Sequence, residues 1–289
     1  MVRWSPMRFP LYPRYDMTEQ FHLLRQLQDT AVPVPRARWL EEDASVIGQP
    51  FFVMDQVEGW VPCDYPSYHA EGPLCEASKE YRARVWWNAV DTLAAIHSLD
   101  WRKTGLAFLG LPMDGSDPIL QQIAYYEEML GMTGGDPPAF ILDSMTWLKR
   151  NAVVPAHLSL CWGDSRLGNL ILADGEVRAV LDWELARLSD PETDLAWFLL
   201  IDWATSEGHF VAPAERLAGL PTTEDTIAHY ERATRRRVEH FFYHDVFATW
   251  RFAVIMHRAD AILKATGYHQ AGVDVYSNLA RRLERLLGE

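Results

Sequence analysis

Apolar residues recur at helical spacing over much of the chain and cluster as short strands in between. From Asp16 to Gln28, Phe21, Leu24 and Leu27 repeat along one side, with Met17 and Leu23 beside them, and Asp16 stands at the N-cap position. Val32-Pro33-Val34-Pro35 stops that helix, because proline has no N–H to donate to a helical bond. Two extended runs, Ala37 to Glu41 and Pro50 to Val57, are joined by a polar stretch with Gly48 and predict a pair of strands. Val2 to Trp4 predicts a further short strand, followed by the turn-rich Pro6 to Pro13. Val61 to Leu74 contains Pro62, Pro66, Gly72 and Pro73 and reads as a linker.

From Ser78 onward helical periodicity dominates. Ser78 to Ser98 is a long helix with Trp86, Val90, Leu93 and Ile96-His97 along one side. Ile119 to Leu130 and Phe140 to Lys149 follow. A β segment then interrupts, with strands expected at His157 to Cys161, Leu170 to Leu172 and Val177 to Leu181. Helices resume at Glu192 to Trp203, Thr223 to Arg236, His240 to Thr266 and Val273 to Leu287. The outline is α+β: a small mixed piece, a linker, and a larger, mainly helical piece with a β-hairpin inside it.

Composition acts mainly by exclusion. The 289 residues suit one large domain or two modest ones. No apolar run approaches the roughly 20 residues of a membrane span, and Met1 to Pro6 holds no apolar signal core. Cys63, Cys75 and Cys161 form no close pair, which argues against a disulfide framework or thiolate zinc site and for the reducing cytoplasm. The net charge of −13 repels phosphate backbones, so nucleic-acid binding is not expected, and no obligate protein partner is evident. Lysine is confined to Lys79, Lys103, Lys149 and Lys264, so arginine carries any fixed positive chemistry. The 12 tryptophans read chiefly as large core residues.

The informative segment runs from Trp162 to Asp194. Asp174-Gly175 is a strong two-residue hairpin signal. With that turn, Ala173 faces Glu176, Ile171 faces Arg178 and Asn169 faces Val180, so Asp182 lies two residues past the partner of Asn169. Side chains two apart share a face, and neighbouring strands lie roughly 5 Å apart. Asn169 and Asp182 would then share a hard, oxygen-seeking cation such as Mg²⁺. Asp164 precedes Asn169 by five positions, between Gly163 and Gly168. That is the spacing of kinase catalytic loops, where the Asp takes a hydroxyl proton and the Asn holds metal. Arg166 would place a positive charge near the transferring phosphate. A lone Asp beside Gly is ordinarily a turn residue; it is the full set that points to phosphoryl transfer. Loss of a loop carboxylate such as Asp164 is expected to leave stability nearly unchanged. Asp190 and Asp194 read as caps or loop braces, His97 as a hydrogen-bonded packing residue, and Glu184 has no assigned role.

Two other chemistries share parts of this pattern. Gly163-Asp164-Ser165 also opens a class of serine hydrolases with Ser165 as nucleophile, but no Asp-x-x-His follows to activate it; Asp225 to His229 is one residue too long. A metallophosphoesterase would need several histidines near the acidic cluster, and His209 stands alone.

At these residues the chain resembles the phosphotransferase family of aminoglycoside kinases, choline-kinase relatives and the kinase-like domains linked to acyl-CoA dehydrogenases. The resemblance rests on Gly163 to Leu170, on Leu181-Asp182-Trp183-Glu184-Leu185-Ala186 and on Asp190-Pro191-Glu192-Thr193-Asp194-Leu195-Ala196-Trp197. It implies a protein-kinase-like two-lobe fold, with a partial N-lobe and hinge over 1–60 and a helical C-lobe over 61–289. It implies ATP and Mg²⁺ as cofactors and a small-molecule hydroxyl acceptor set against the helices from about 223 to 287. Asp164 resembles the base, and Asn169 and Asp182 the metal ligands. Arg3 resembles the basic residue that meets nucleotide phosphates, Glu19 its helix partner, and Met54, Asp55 and Val57 the hinge that binds adenine. Trp162 stands where many relatives have histidine. The two strands and Gly-rich loop that the family places before Arg3 do not occur in this chain, so weak ATP binding with poor turnover is expected, and a catalytically impaired pseudokinase or nucleotide-binding module is the alternative.

Overall fold

The computed structural model describes residues 1–6, 8–110, 118–206, 214–267 and 276–288. His209 and the expected helix start at Val273 lie outside them. In chain order the elements are β1 (Val2–Trp4), α1 (Met17–Leu27), β2 (Ala37–Glu41), β3 (Phe51–Met54), α2 (Pro73–Glu76), α3 (Lys79–His97), α4 (Pro118–Gly131), α5 (Ala139–Arg150), β4 (Ser159–Cys161), β5 (Leu170–Ala173), β6 (Glu176–Val180), β7 (Arg187–Ser189), α6 (Glu192–Ser206), α7 (Thr223–Thr234), α8 (Phe241–Thr266) and α9 (Ser277–Leu287). The fold is α+β.

Local chemistry starts the helices where the pattern places them. The Asp16 carboxylate accepts the Glu19 N–H at 2.8 Å and caps α1. Ser78 caps α3 and Thr222 caps α7 in the same way. The α1 face with Leu23, Leu24 and Leu27 is buried and packs on β2 and β3. These strands form one antiparallel sheet in the order β1-β3-β2, in which Arg3 and Leu40 both face Phe52.

The chain divides into two compact units. One comprises Met1–Ser5, Asp16–Leu111 and Leu158–Glu239; the other Pro6–Tyr15, Pro112–His157 and His240–Glu289. In the second unit α8 packs against α4, α5 and α9. Trp250 and Tyr243 of α8 donate to the carbonyls of Ile141 and Leu148, so neither large polar aromatic is buried with its donor unmet. The first unit holds all the three-stranded sheet, both two-stranded ribbons, and α1, α2, α3, α6 and α7. In its core α3 packs on α7, and Trp86 donates to Thr226 Oγ1 at 2.9 Å.

Three features depart from the expectation. β7 carries no strand pattern long enough to stand out, yet pairs antiparallel with β4, Cys161 opposite Arg187. The segment read as a linker is packed: Ser67, Tyr68 and His69 are buried, Tyr68 donates to the Asp202 carboxylate at 2.8 Å, and Ser67 to the Thr205 carbonyl at 2.9 Å. Finally, a bulge shifts the hairpin register. Ala173 faces Glu176 as expected, but Ile171 faces Ala179 and Leu170 faces Val180, which leaves Arg178 as the extra residue.

Candidate active site

The Trp162–Asn169 loop follows β4 and is held from beneath by α6. Asp194, fully buried in the first turn of α6, accepts the N–H of Trp162 at 2.5 Å and of Gly163 at 3.0 Å. Ser165 Oγ donates to the Asp194 carbonyl at 2.7 Å, so this hydroxyl is turned into the protein rather than toward a substrate. Gly163 is required here: its φ is +90°, and an added Cβ would lie 2.3 Å from the Leu185 carbonyl oxygen. Behind Asp194, His97 bridges its carboxylate at 3.2 Å and the Tyr230 hydroxyl at 2.7 Å. Burial pushes the Tyr230 phenol and the Cys161 thiol well up, so both stay protonated. His97, Cys161 and Asp194 offer ligand atoms within 4.8 Å of one another, but His97 and Asp194 already use theirs in bracing the loop.

On that foundation Asp164 is clamped. Its Oδ1 accepts the Trp197 indole N–H at 2.8 Å; its Oδ2 accepts from Asn169 Nδ2 at 2.7 Å and Arg166 Nε at 2.9 Å. The Asn169 nitrogen also reaches the Asp164 carbonyl at 2.9 Å. With that nitrogen turned to Asp164, the amide oxygen is the atom Asn169 offers to a cation.

Asn169 and Asp182 line one cavity of about 270 Å³. They meet there by a route other than the expected one. The bulge puts Asn169 opposite Leu181, whose N–H donates to the Asn169 carbonyl at 2.9 Å. Asp182 then turns back by adopting φ +59°, a left-handed conformation that a short polar side chain tolerates and that is typical of strained functional positions. Two indoles hold the turn: Trp162 donates to the Leu181 carbonyl at 2.7 Å and Trp183 to the Val180 carbonyl at 3.1 Å. Trp162 thereby ties the Asp164 loop to the Asp182 loop. The cavity lining is mixed: Val2, Leu24, Pro35, Phe52 and Met54 are apolar, while Arg3, Gln20, Asn169 and Asp182 supply polar groups.

Charge around Arg3 and Arg166 is unbalanced. Arg3 divides its Nη2 between Asp182 Oδ1 at 2.9 Å and Glu184 Oε2 at 2.8 Å. Arg166, expected to serve a phosphate, lies between Asp164 and the Asp64 carboxylate. Gly168 leaves the space for that ion pair, since a Cβ there would meet Asp64 Oδ2 at 2.8 Å. Four carboxylates therefore share two guanidiniums. Burial, then the Asp182 charge, raises Glu184 to about 7 even though Arg3 works against the shift. A donor set of carboxylate and amide oxygens with excess negative charge fits a hard dication, and the half-apolar cavity beside it fits a nucleoside phosphate.

The other expected residues fall as follows. Glu19 sits in the first turn of α1, raised in pKa by burial and Asp16 and lowered by Arg187; the bonded partners of Arg3 are instead Asp182 and Glu184. Of the hinge residues, Met54 lines the cavity, its N–H donating to the Met1 carbonyl at 3.0 Å, and the Asp55 N–H donates to the Arg36 carbonyl at 2.9 Å. The Asp55 side chain forms a two-pronged pair with Arg38. Sequence reasoning missed Asp64, Gln20 and the role of Trp197, and left Glu184 unassigned. The last had a usable signal, an acid two residues after Asp182. Asp64 had none, because its partner is a hundred residues away.

Comparison with known proteins gives the family and the fold. Residues 4–234 match the model of the phosphotransferase enzyme family. The chain is 30% identical over 237 residues to mouse (Mus musculus) acyl-CoA dehydrogenase family member 10, covering 80% of this chain but 21% of that protein. It thus spans well under a third of the length of the curated relatives it matches. Among solved structures, a Ralstonia eutropha protein described as an aminoglycoside phosphotransferase superposes with a TM-score of 0.72 at 24% identity, covering 93% of this chain and 80% of its own. Choline kinase from Streptococcus pneumoniae gives 0.61 at 16% identity over 99% and 85%. These two likenesses establish the kinase-like fold.

Proposed function

The chain belongs to the phosphotransferase enzyme family, and from that premise we propose that it transfers the γ-phosphoryl group of ATP to a hydroxyl of a small molecule. The observation that carries the reading is the Asp164 carboxylate, held by three side-chain donors beside Asn169 and next to a cavity that also contains Asp182 and Arg3. Asp164 accepts the proton of the acceptor hydroxyl as that oxygen bonds to phosphorus and ADP leaves. Asn169 and Asp182 would hold Mg²⁺, whose chemistry there is to spread positive charge over phosphate oxygens. Arg3 exchanges part of its bonding to Asp182 and Glu184 for the phosphates. Met54 and Phe52 pack against the base; the Met54 and Asp55 N–H groups are donated inside the chain, which turns the expected adenine contact to Val57, a residue that is not among those lining the cavity. The three cysteines are unpaired, which suits the cytoplasm as the compartment.

A second reading, nucleotide binding without transfer, is favoured by one observation: Arg166 is neutralised between Asp64 and Asp164. One assay separates the two. The chain is incubated with ATP, Mg²⁺ and a panel of hydroxylated metabolites and antibiotics, and ADP and phosphorylated product are measured for the parent and for Asp164→Ala. Acceptor-dependent ADP release that is lost in the variant supports transfer. ATP binding with no release for any acceptor supports the second reading.

A further inference from the structure

α1 turns two residues into the cavity, Gln20 and Leu24, one helical turn apart. The residue that the family resemblance singles out is the preceding one, Glu19, which is half-buried and lies under the influence of Asp16 and Arg187. Gln20 is the more deeply buried, only 6% exposed. Its amide nitrogen makes no hydrogen bond and is shielded from solvent, so the amide must turn about its last bond to present that nitrogen to a ligand. A buried N–H₂ without an acceptor is costly, and a fold that keeps one beside a cavity keeps it for something that enters the cavity. An apolar residue of the same length would fill the space without that cost.

We propose that Gln20 is a nucleotide-binding residue whose Nε2 donates to a phosphate oxygen of the bound nucleotide; this rests on the phosphotransferase reading. The chemistry selects the partner. The unmet group is a donor, so it needs an acceptor. The nearby carboxylates Asp182, which lines the cavity, and Glu184 are already engaged by Arg3. The acceptors that a nucleotide brings to a cavity lined by Arg3 are its phosphate oxygens, which are anionic and form hydrogen bonds stronger than neutral ones. Gln20 suits this task better than a glutamate would. A carboxylate in its place would pair with Arg3 and repel the polyphosphate, whereas the amide adds a donor with no charge to a site that already has four carboxylates. Gln20 thus supplies part of the phosphate binding that Arg3, shared between two acids, supplies incompletely.

The test uses the full chain with Gln20→Met, which keeps the length and removes the donor, and Gln20→Glu, which keeps the shape and adds charge. Thermal unfolding without ligand and calorimetric titration with Mg·ATP, ATP and adenosine are measured for each. Gln20→Met should raise the Tm of the free protein, because the unmet donor is gone. It should weaken Mg·ATP and ATP binding about tenfold, the scale of a hydrogen bond to a charged group, and leave adenosine unchanged. Gln20→Glu should weaken ATP further. The proposal falls if Gln20→Met binds ATP as tightly as the parent. It falls equally if ATP and adenosine weaken together, which would assign Gln20 to the base or to the cavity's shape. A parent chain that binds no nucleotide would bring down the phosphotransferase reading, and this inference with it.

Discussion

The two ends of the site are held in opposite ways. Around Asp164 the partners are buried and numerous: Asp194 fixes two backbone N–H groups, Ser165 closes onto the Asp194 carbonyl, and Trp197, Asn169 and Arg166 fill both oxygens of the carboxylate. Around Asp182 the grip is looser. Among the described residues its side chain bonds to Arg3, itself shared with Glu184 and about a third exposed, and its backbone sits at positive φ. On the proposed phosphotransferase reading, the difference matches what each end must do. A general base must be aligned before the acceptor arrives, and preorganisation of that kind lowers a barrier without rearrangement during the reaction. A metal and phosphate site must exchange protein contacts for ligand contacts in every turnover, so its resting bonds must be breakable. Glu184, raised to about 7, marks how unbalanced that end is.

The largest expected effect comes from the tight end. Asp164→Ala should lower turnover by roughly 10²–10⁴, the span for a positioned general base. The expectation that stability would hardly change does not survive the structure. Asp164 is 9% exposed, and its removal takes away the carboxylate to which the Trp197 indole and the Asn169 amide donate. A loss of about 1–3 kcal/mol should appear in urea unfolding of the variant. Equal stability with near-parent turnover would refute the role.

Trp197→Phe sharpens the comparison by loosening the tight end at one point. A smaller aromatic ring remains, while the 2.8 Å bond to Asp164 Oδ1 and part of the buried indole's packing are lost. kcat should fall about tenfold with the KM for ATP unchanged, and stability by about 1–3 kcal/mol. A rise in KM alone would place Trp197 in binding rather than in aligning the base.

How much of this could be read from the sequence follows the same division. Asp164, Asn169 and Asp182 could be brought together from the sequence because the Asp164 loop and the hairpin are continuous in the chain and carry glycines at fixed offsets. Asp16, Ser78 and Thr222 show why the helices were found too: each is a polar cap ahead of an apolar period. What escaped was set by tertiary partners. The bulge at Arg178 is imposed where the hairpin meets the rest of the unit, with Asn88 donating to the Gly175 carbonyl at 2.8 Å and Trp60 pairing with Leu172. The 61–74 segment looked like a linker because proline and glycine mark loops, but nothing in that composition says that Tyr68 will reach Asp202. Asp64 and Gln20 lacked any local signal, since their significance lies in Arg166 and in the cavity.

A smaller effect tests the charge imbalance. The folded chain binds the Glu184 proton more tightly than the unfolded chain, whose value is near 4.5. Between about 4.5 and about 7 the folded state therefore carries more protons, and stability falls as pH rises. The contribution is full below the unfolded value and gone above the folded one. Glu184→Gln should flatten the ligand-free stability profile across that window by about 1 kcal/mol or more. An identical slope in parent and variant would mean that Glu184 is not held protonated by its surroundings.

The most direct test of the account is calorimetric titration of ATP with and without Mg²⁺ into the parent chain and into Asp182→Asn. The neutral amide is a weaker ligand for a hard dication, so the account predicts that Mg²⁺ tightens ATP binding to the parent and that most of this gain disappears in the variant, while metal-free binding changes less. The same Mg²⁺ dependence in both proteins would contradict it, by showing that the metal is held somewhere other than at Asn169 and Asp182.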